Sequence, residues 1–380
     1  MRKDLADEQL LLLRLCEIEF TESQVNEIRS LAGRTTNWGR FTDMANKHGI
    51  SALAYHNIKK LEIDSLIPGD ETAILYNYYL KSLSRNTNLW EKYCELRDIL
   101  SEKKIYPVLI KGMALEKGVY GDTGLRQMND IDFIVEKDRA LEAWDYLLGK
   151  GYSHHLIKSG LYRKILPYIG KHMPELYREG VSFEMHVSLF GDTNYHELVL
   201  INAKGGIPDP LLHFLFLVKH LHYHEMVKGE SQLRLYTDLV MMIKKFSNEI
   251  LKPGLFENAE ELKILDILLE KLFIIKTFWR VELNSTVKSI IKLPEEENII
   301  NRFLDFLENP KDNIPGISKR KAYRDNISSI KGFRRKVIFI LGDIFPSVEF
   351  MKQRYKRKTA LAVTPLYLYR MGKLWWLAGL

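Results

Sequence analysis

The chain has 380 residues, 46% of them hydrophobic and 28% charged, enough apolar material for a sizeable core and more length than one ordinary domain needs. Its net charge of +7 favours anionic partners such as nucleotides, RNA or an acidic membrane surface without choosing among them. Cys16 and Cys94 are too few and too far apart for a disulfide framework or a metal knuckle, no apolar stretch reaches spanning length, and the acidic residues 4–8 do not resemble a secretory leader, so a cytoplasmic location is expected.

From residue 7 to 93 the apolar spacing is helical, as in residues 10–15 and 72–84, with breaks expected near Gly33 and at Pro68-Gly69. Residues 105–110 form a short apolar, β-branched run that reads as a buried strand, ending at Gly112 before the helical-looking residues 113–117. A strand, a glycine turn and a helix start let a phosphate approach the backbone. Gly112 has no Cβ, the first helical amides attract anions, and Lys111 adds a positive charge. An ordinary turn beside a solvated lysine carries the same signature.

Residues 130–135 read as a second strand, with Asp130 and Asp132 on one face and Ile131 and Phe133 on the other. The two carboxylates leave the strand roughly 6–7 Å apart, a spacing that suits Mg²⁺ and leaves them repelling one another without a cation. Residues 140–148 read as a helix stopped by Gly149-Lys150-Gly151. Residues 181–189 alternate again: Phe183, Met185, Val187 and Leu189 share one face, and Glu184, His186 and Ser188 the other. If this run lies beside residues 131–135, Glu184 completes a three-carboxylate set able to hold two divalent ions about 3.5–4 Å apart. His186 would then bind a substrate phosphate, orient Glu184, or serve as a structural histidine.

Gly205-Gly206-Ile207-Pro208 marks a boundary, after which residues 210–227, 232–247 and 259–280 have the long apolar periodicity of a helical bundle. A further helix starts at Pro294, followed by a polar connection over residues 309–321. His220 and His224 share a helix face without a specified third zinc ligand, and Arg234 and Asp238 have the spacing of an intrahelical ion pair. The basic run 352–358 and the aromatic residues 367–376 would pack on their own domain, or lie against RNA or a membrane surface. There is no Gly-x-Ser-x-Gly elbow and no Walker-type phosphate loop.

Taken together, Leu109-Ile110-Lys111-Gly112, the stretch from Tyr120 to Arg126, Asp130-Ile131-Asp132 and Glu184-Met185-His186 resemble the bacterial uncharacterised nucleotidyltransferase family of the DNA polymerase β-like nucleotidyltransferase superfamily. The resemblance implies an α+β fold, a small mixed β-sheet nucleotidyltransferase core flanked by helices, with helical regions on its amino- and carboxy-terminal sides. It assigns catalysis and metal binding to Asp130, Asp132 and Glu184, with Mg²⁺ (or Mn²⁺) as cofactor. Lys111 and Arg126 stand at positions typical of the family and would contact phosphates, Arg126 through its forked donors. With Gly112 and His186 they make up the expected nucleotide-binding set. Met113 departs from the serine that commonly follows the glycine, and the interval from Gly112 to Asp130 is longer than in many members.

The organisation expected is an N-terminal helical region (1–93), a nucleotidyltransferase core (94–204), a helical domain (205–308) and a basic, aromatic C-terminal region (309–380). The expected activity is Mg-dependent transfer of an NMP from a nucleoside triphosphate to a hydroxyl acceptor, with release of pyrophosphate. The acceptor is left open among a small molecule, a protein side chain and an RNA end. Two other readings remain: a non-catalytic nucleotide- or RNA-binding module using the basic tail, and a membrane-associated enzyme of surface-polymer assembly in contact through residues 352–380.

Overall fold

The computed structural model describes residues 5–191, 193–228, 231–284, 287, 295–310 and 319–378. The chain divides into two compact units, each assembled from stretches distant in sequence: Met1–Glu91, Ile110–Asn129 and Ile207–Gly316 form the first, and Lys92–Leu109, Asp130–Gly206 and Ile317–Leu380 the second.

The first unit is helical. Helices Asp7–Arg14, Glu22–Arg34, Trp38–Lys47 and Ser51–Lys60 occupy its amino-terminal part, and the helix Gly69–Ser101 belongs to it as far as Glu91. At the start of Glu22–Arg34, the Gln24 amide donates to Thr21 Oγ1 and the Thr21 amide donates to Gln24 Oε1, satisfying two end donors reciprocally. Leu11, Leu12, Leu13, Ile28 and Phe41 are buried, the inward stripe that the helical spacing demands. Pro210–Tyr223 starts where Asp209 Oδ1 accepts the amides of Leu211 and Leu212. It then passes into a π-helical turn, His224–Lys228. The continuous helix expected over residues 259–280 is instead two, Gly254–Glu261 and Leu265–Trp279. Lys263, at φ 57°, turns the chain through the left-handed region between them. Glu296–Glu308 follows; Pro294 and residues 311–318 of the polar connection lie outside the described residues.

The second unit holds a five-stranded mixed sheet. Its strands are β1 (Val108–Leu109), β2 (Asp130–Ile134), β3 (Ser153–His154), β4 (Leu176–Arg178) and β5 (Val181–His186), in the order β1-β2-β5-β4-β3. β2 runs parallel to β5 and antiparallel to β1, while β4 is antiparallel to both β3 and β5. The parallel pair requires a crossover, and helix Ala140–Gly149 lies within it. Ile131, Phe133 and Ile134 are fully buried, as a central parallel strand should be. β1 is shorter than residues 105–110 suggest, because Pro107 has no amide for the ladder and the Ile105 amide is bonded to Leu100 O. β4 and β5 join through the two-residue turn Glu179-Gly180, with φ of 51° and 79°, a conformation that matches the twist of a hairpin.

Helices Lys319–Ser329, Phe333–Ile344, Val348–Arg354 and Thr364–Ala378 complete this unit. Met351 and Val363 are fully buried, Tyr367 donates to Pro346 O, and the Arg370 guanidinium donates to Asp343 O. The tail is thus anchored to its own unit at these points, while Arg354, Lys356, Arg357 and Lys358 of the basic run, with Leu368 and Tyr369, stay exposed; the side chains of Trp375 and Trp376 lie outside the described residues. The whole is a mixed α and β architecture, mostly helical with one small sheet. Among the described residues, no helix is long and apolar enough to cross a membrane.

Candidate metal centre

The parallel register sets Asp132 opposite Glu184 and Ile134 opposite His186. Same-face side chains on neighbouring strands leave the sheet about 5 Å apart, so the alternation that buries Ile131 and Phe133 delivers Asp132, Glu184 and His186 to one place. His186 Nε2 lies 2.8 Å from Asp132 Oδ1 and 3.4 Å from Glu184 Oε2. The three groups each offer a ligand atom within 4.8 Å of the others. Asp132 and His186 are only 4% exposed, whereas Glu184 is partly open.

Two carboxylates side by side repel, and burial of one of them deepens the cost by removing water. A divalent cation would offset both terms. Two oxygen donors and one imidazole nitrogen within such a span are a chemically suitable set for one. The residues present therefore fit a metal ion.

Asp130 begins β2, half-buried, with its Cα opposite Ser182. It shares the Asp132 face by alternation but is not one of the three groups whose ligand atoms cluster within 4.8 Å. His186, by contrast, turns its Nε2 into the acids. The signal for that position was present in the sequence, because His186 follows Glu184 by two on an alternating strand.

Lys111, Gly112 and Arg126 belong to the first unit. Lys111 opens the short helix Lys111–Leu115 with a φ of 52°, and its amide donates to His213 Nε2 at 3.2 Å. Burial pushes the His213 pKa down to about 4, which keeps that nitrogen free to accept. Arg126 is 5% exposed and gives Asp238 two bonds, Nε to Oδ1 at 2.8 Å and Nη2 to Oδ2 at 2.7 Å. The Tyr120 hydroxyl adds a third at 2.8 Å, and burial together with the Asp238 charge raises the Tyr120 pKa well above its ordinary value. Helical spacing points to Arg234, one turn away, as the partner of Asp238. The structure gives Asp238 to Arg126, and Arg234 donates to Gln127 O and to Gln232 Oε1.

Gly112 is required by packing. A Cβ there would stand 2.6 Å from Arg126 Nη1 and 2.9 Å from Met128 Sδ. Because the guanidinium is pinned to Asp238, it cannot simply swing aside. Gly112→Ala is expected to destabilise the protein by about 1–3 kcal/mol through this overpacking, read as a lowered midpoint in urea unfolding; an unchanged midpoint would show that Arg126 yields freely.

The family model of an uncharacterised nucleotidyltransferase matches residues 34–280. The chain belongs to this family. The matched stretch contains Lys111, Gly112, Arg126, Asp130, Asp132, Glu184 and His186. Membership in the nucleotidyltransferase family supports a nucleotidyl-transfer activity in general. No curated protein and no solved structure matches the chain.

Proposed function

We propose that this nucleotidyltransferase moves an NMP from a nucleoside triphosphate to a hydroxyl acceptor and releases pyrophosphate, in a reaction that depends on Mg²⁺ or Mn²⁺. The observation that supports this most is the convergence of Asp132 and Glu184 from two parallel strands, with His186 against both. Asp132 and Glu184, with Asp130 beside them on β2, are the residues that would hold the cation. When bound, such an ion neutralises phosphate charge and lowers the pKa of an attacking hydroxyl. Glu184, the more open of the clustered acids, would receive the acceptor's proton.

On the motif alone, Lys111 and Gly112 are proposed as phosphate contacts, with Arg126 as a third. The acceptor is a small hydroxyl compound, a protein side chain or an RNA end. A cytoplasmic location is part of the proposal and accords with two unbridged cysteines, Cys16 and Cys94.

The test is incubation of the purified protein with Mg²⁺ or Mn²⁺ and each α-³²P-labelled nucleoside triphosphate, alone and with RNA or cell extract. Label should pass to an acceptor only when cation is supplied, and the acceptor's size and nuclease or protease sensitivity will give its class. Tight RNA or nucleotide binding in EDTA, with no label transferred to anything, would favour the binding-module reading. No nucleotide binding at all would sink the proposal.

A further inference from the structure

We infer that His186 is itself a ligand of the cation through Nε2, so that the ion site adds one imidazole nitrogen to the carboxylate oxygens of Asp132 and Glu184 and prefers Mn²⁺ to Mg²⁺. The inference rests on the cation-dependent reading above and goes beyond it by assigning a nitrogen donor and a metal preference.

The first support is geometric. Neighbouring ligands of an octahedral ion with bonds of roughly 2.1 Å lie about 3 Å apart. His186 Nε2 stands at 2.8 Å from one acid and 3.4 Å from the other, on either side of that value. A single ring N–H can point well at only one acceptor, whereas an ion between the three groups would be served by all of them.

The second support is electrostatic. Asp132 and His186 are nearly sealed from solvent while Glu184 stays partly open, so water does little to screen the Asp132 carboxylate. A dication among the three groups would attract both carboxylates.

The third support is rigidity. β5 is paired with β2 on one side and β4 on the other. Ahead of β4 in the chain, the bonds Met173 N to Met185 O and Val187 N to Lys171 O clasp the backbone on both sides of His186. The backbone that carries the donor is thus held in place before any ion arrives. Mg²⁺ favours all-oxygen surroundings and keeps its waters, whereas imidazole binds first-row transition ions more readily.

The experiment uses the full chain stripped of metal. Mn²⁺ is titrated by EPR, Mg²⁺ is added as competitor, and the bound Mn²⁺ is examined by electron spin-echo modulation. The expected result is one tightly bound Mn²⁺ with a ¹⁴N coupling of the strength given by a directly bound imidazole. His186→Asn should abolish that coupling and reduce the Mn²⁺-over-Mg²⁺ preference about tenfold or more. Labelling the unmutated protein with ¹⁵N-histidine provides a check that does not require the variant to fold, since the coupling must change isotope.

Bound Mn²⁺ without nitrogen coupling, or coupling that survives in folded His186→Asn, would overturn the inference and leave the cation-dependent reading standing. Failure to bind Mn²⁺ at all would overturn both. Nitrogen-coupled Mn²⁺ in a protein that transfers no label to any acceptor would support the inference while the transfer reading fails.

Discussion

Asp132→Asn is expected to reduce label transfer by about 10³-fold or more, with far-UV circular dichroism unchanged. Asparagine keeps the shape of the side chain and one oxygen but removes the charge that a cation requires. Its stability effect should be small, within about 1 kcal/mol, because relief of repulsion toward Glu184 offsets the weakened bond to His186. Asp130→Asn tested in parallel separates two arrangements. Equal losses would place both β2 acids on the cation chemistry, while loss confined to Asp132 would leave the work to Asp132, Glu184 and His186. Full activity in Asp132→Asn would remove the metal centre from consideration.

The largest stability effect is expected from Arg126→Ala. It strands the Asp238 carboxylate, fully buried, with only the Tyr120 hydroxyl among the three side-chain donors named above. Breaking a buried pair by removing one partner costs about 3–5 kcal/mol. The expected outcome is a large drop in the urea midpoint, or failure to accumulate as folded protein. The double variant Arg126→Met with Asp238→Leu should recover much of that loss, since apolar replacement of both partners removes the stranded charge. If Arg126 served phosphate alone, Arg126→Ala would raise the KM for nucleotide and barely move the midpoint.

The faces of the clustered side chains were legible in the sequence because they lie on strands, where a period of two assigns every side chain to a face, although the group found is Asp132, Glu184 and His186 and not the three carboxylates expected with Asp130. Asp132 on β2, and Glu184 with His186 on β5, could be placed on their faces from alternation alone, and the parallel neighbourhood of those strands is what joins them. β3 and β4, two and three residues long, carry no such signal. No alternation can be measured over so few positions, although the Glu179-Gly180 turn before β5 was a usable sign. The Arg126–Asp238 pair was hidden for a different reason. Its members are 112 positions apart, while helical spacing can only suggest partners three or four residues away, and Arg234 was the natural but wrong choice. The split at Lys263 was equally silent, since lysine gives no hint of a left-handed turn.

The parallel pairing of β2 with β5 also bears on how the protein comes to fold. Asp132 and His186 are 54 positions apart, and everything from Val135 to Gly180 must be looped back before the two strands can meet. The β4–β5 hairpin, closed by a two-residue turn, is local and can form early, whereas the β2–β5 ladder is a non-local contact with a loop-closure cost. The side chains that gather the cluster are therefore assembled by one of the least local steps of the second unit. In a nascent or partly refolded chain the hairpin can form before Asp132 is brought beside Glu184 and His186.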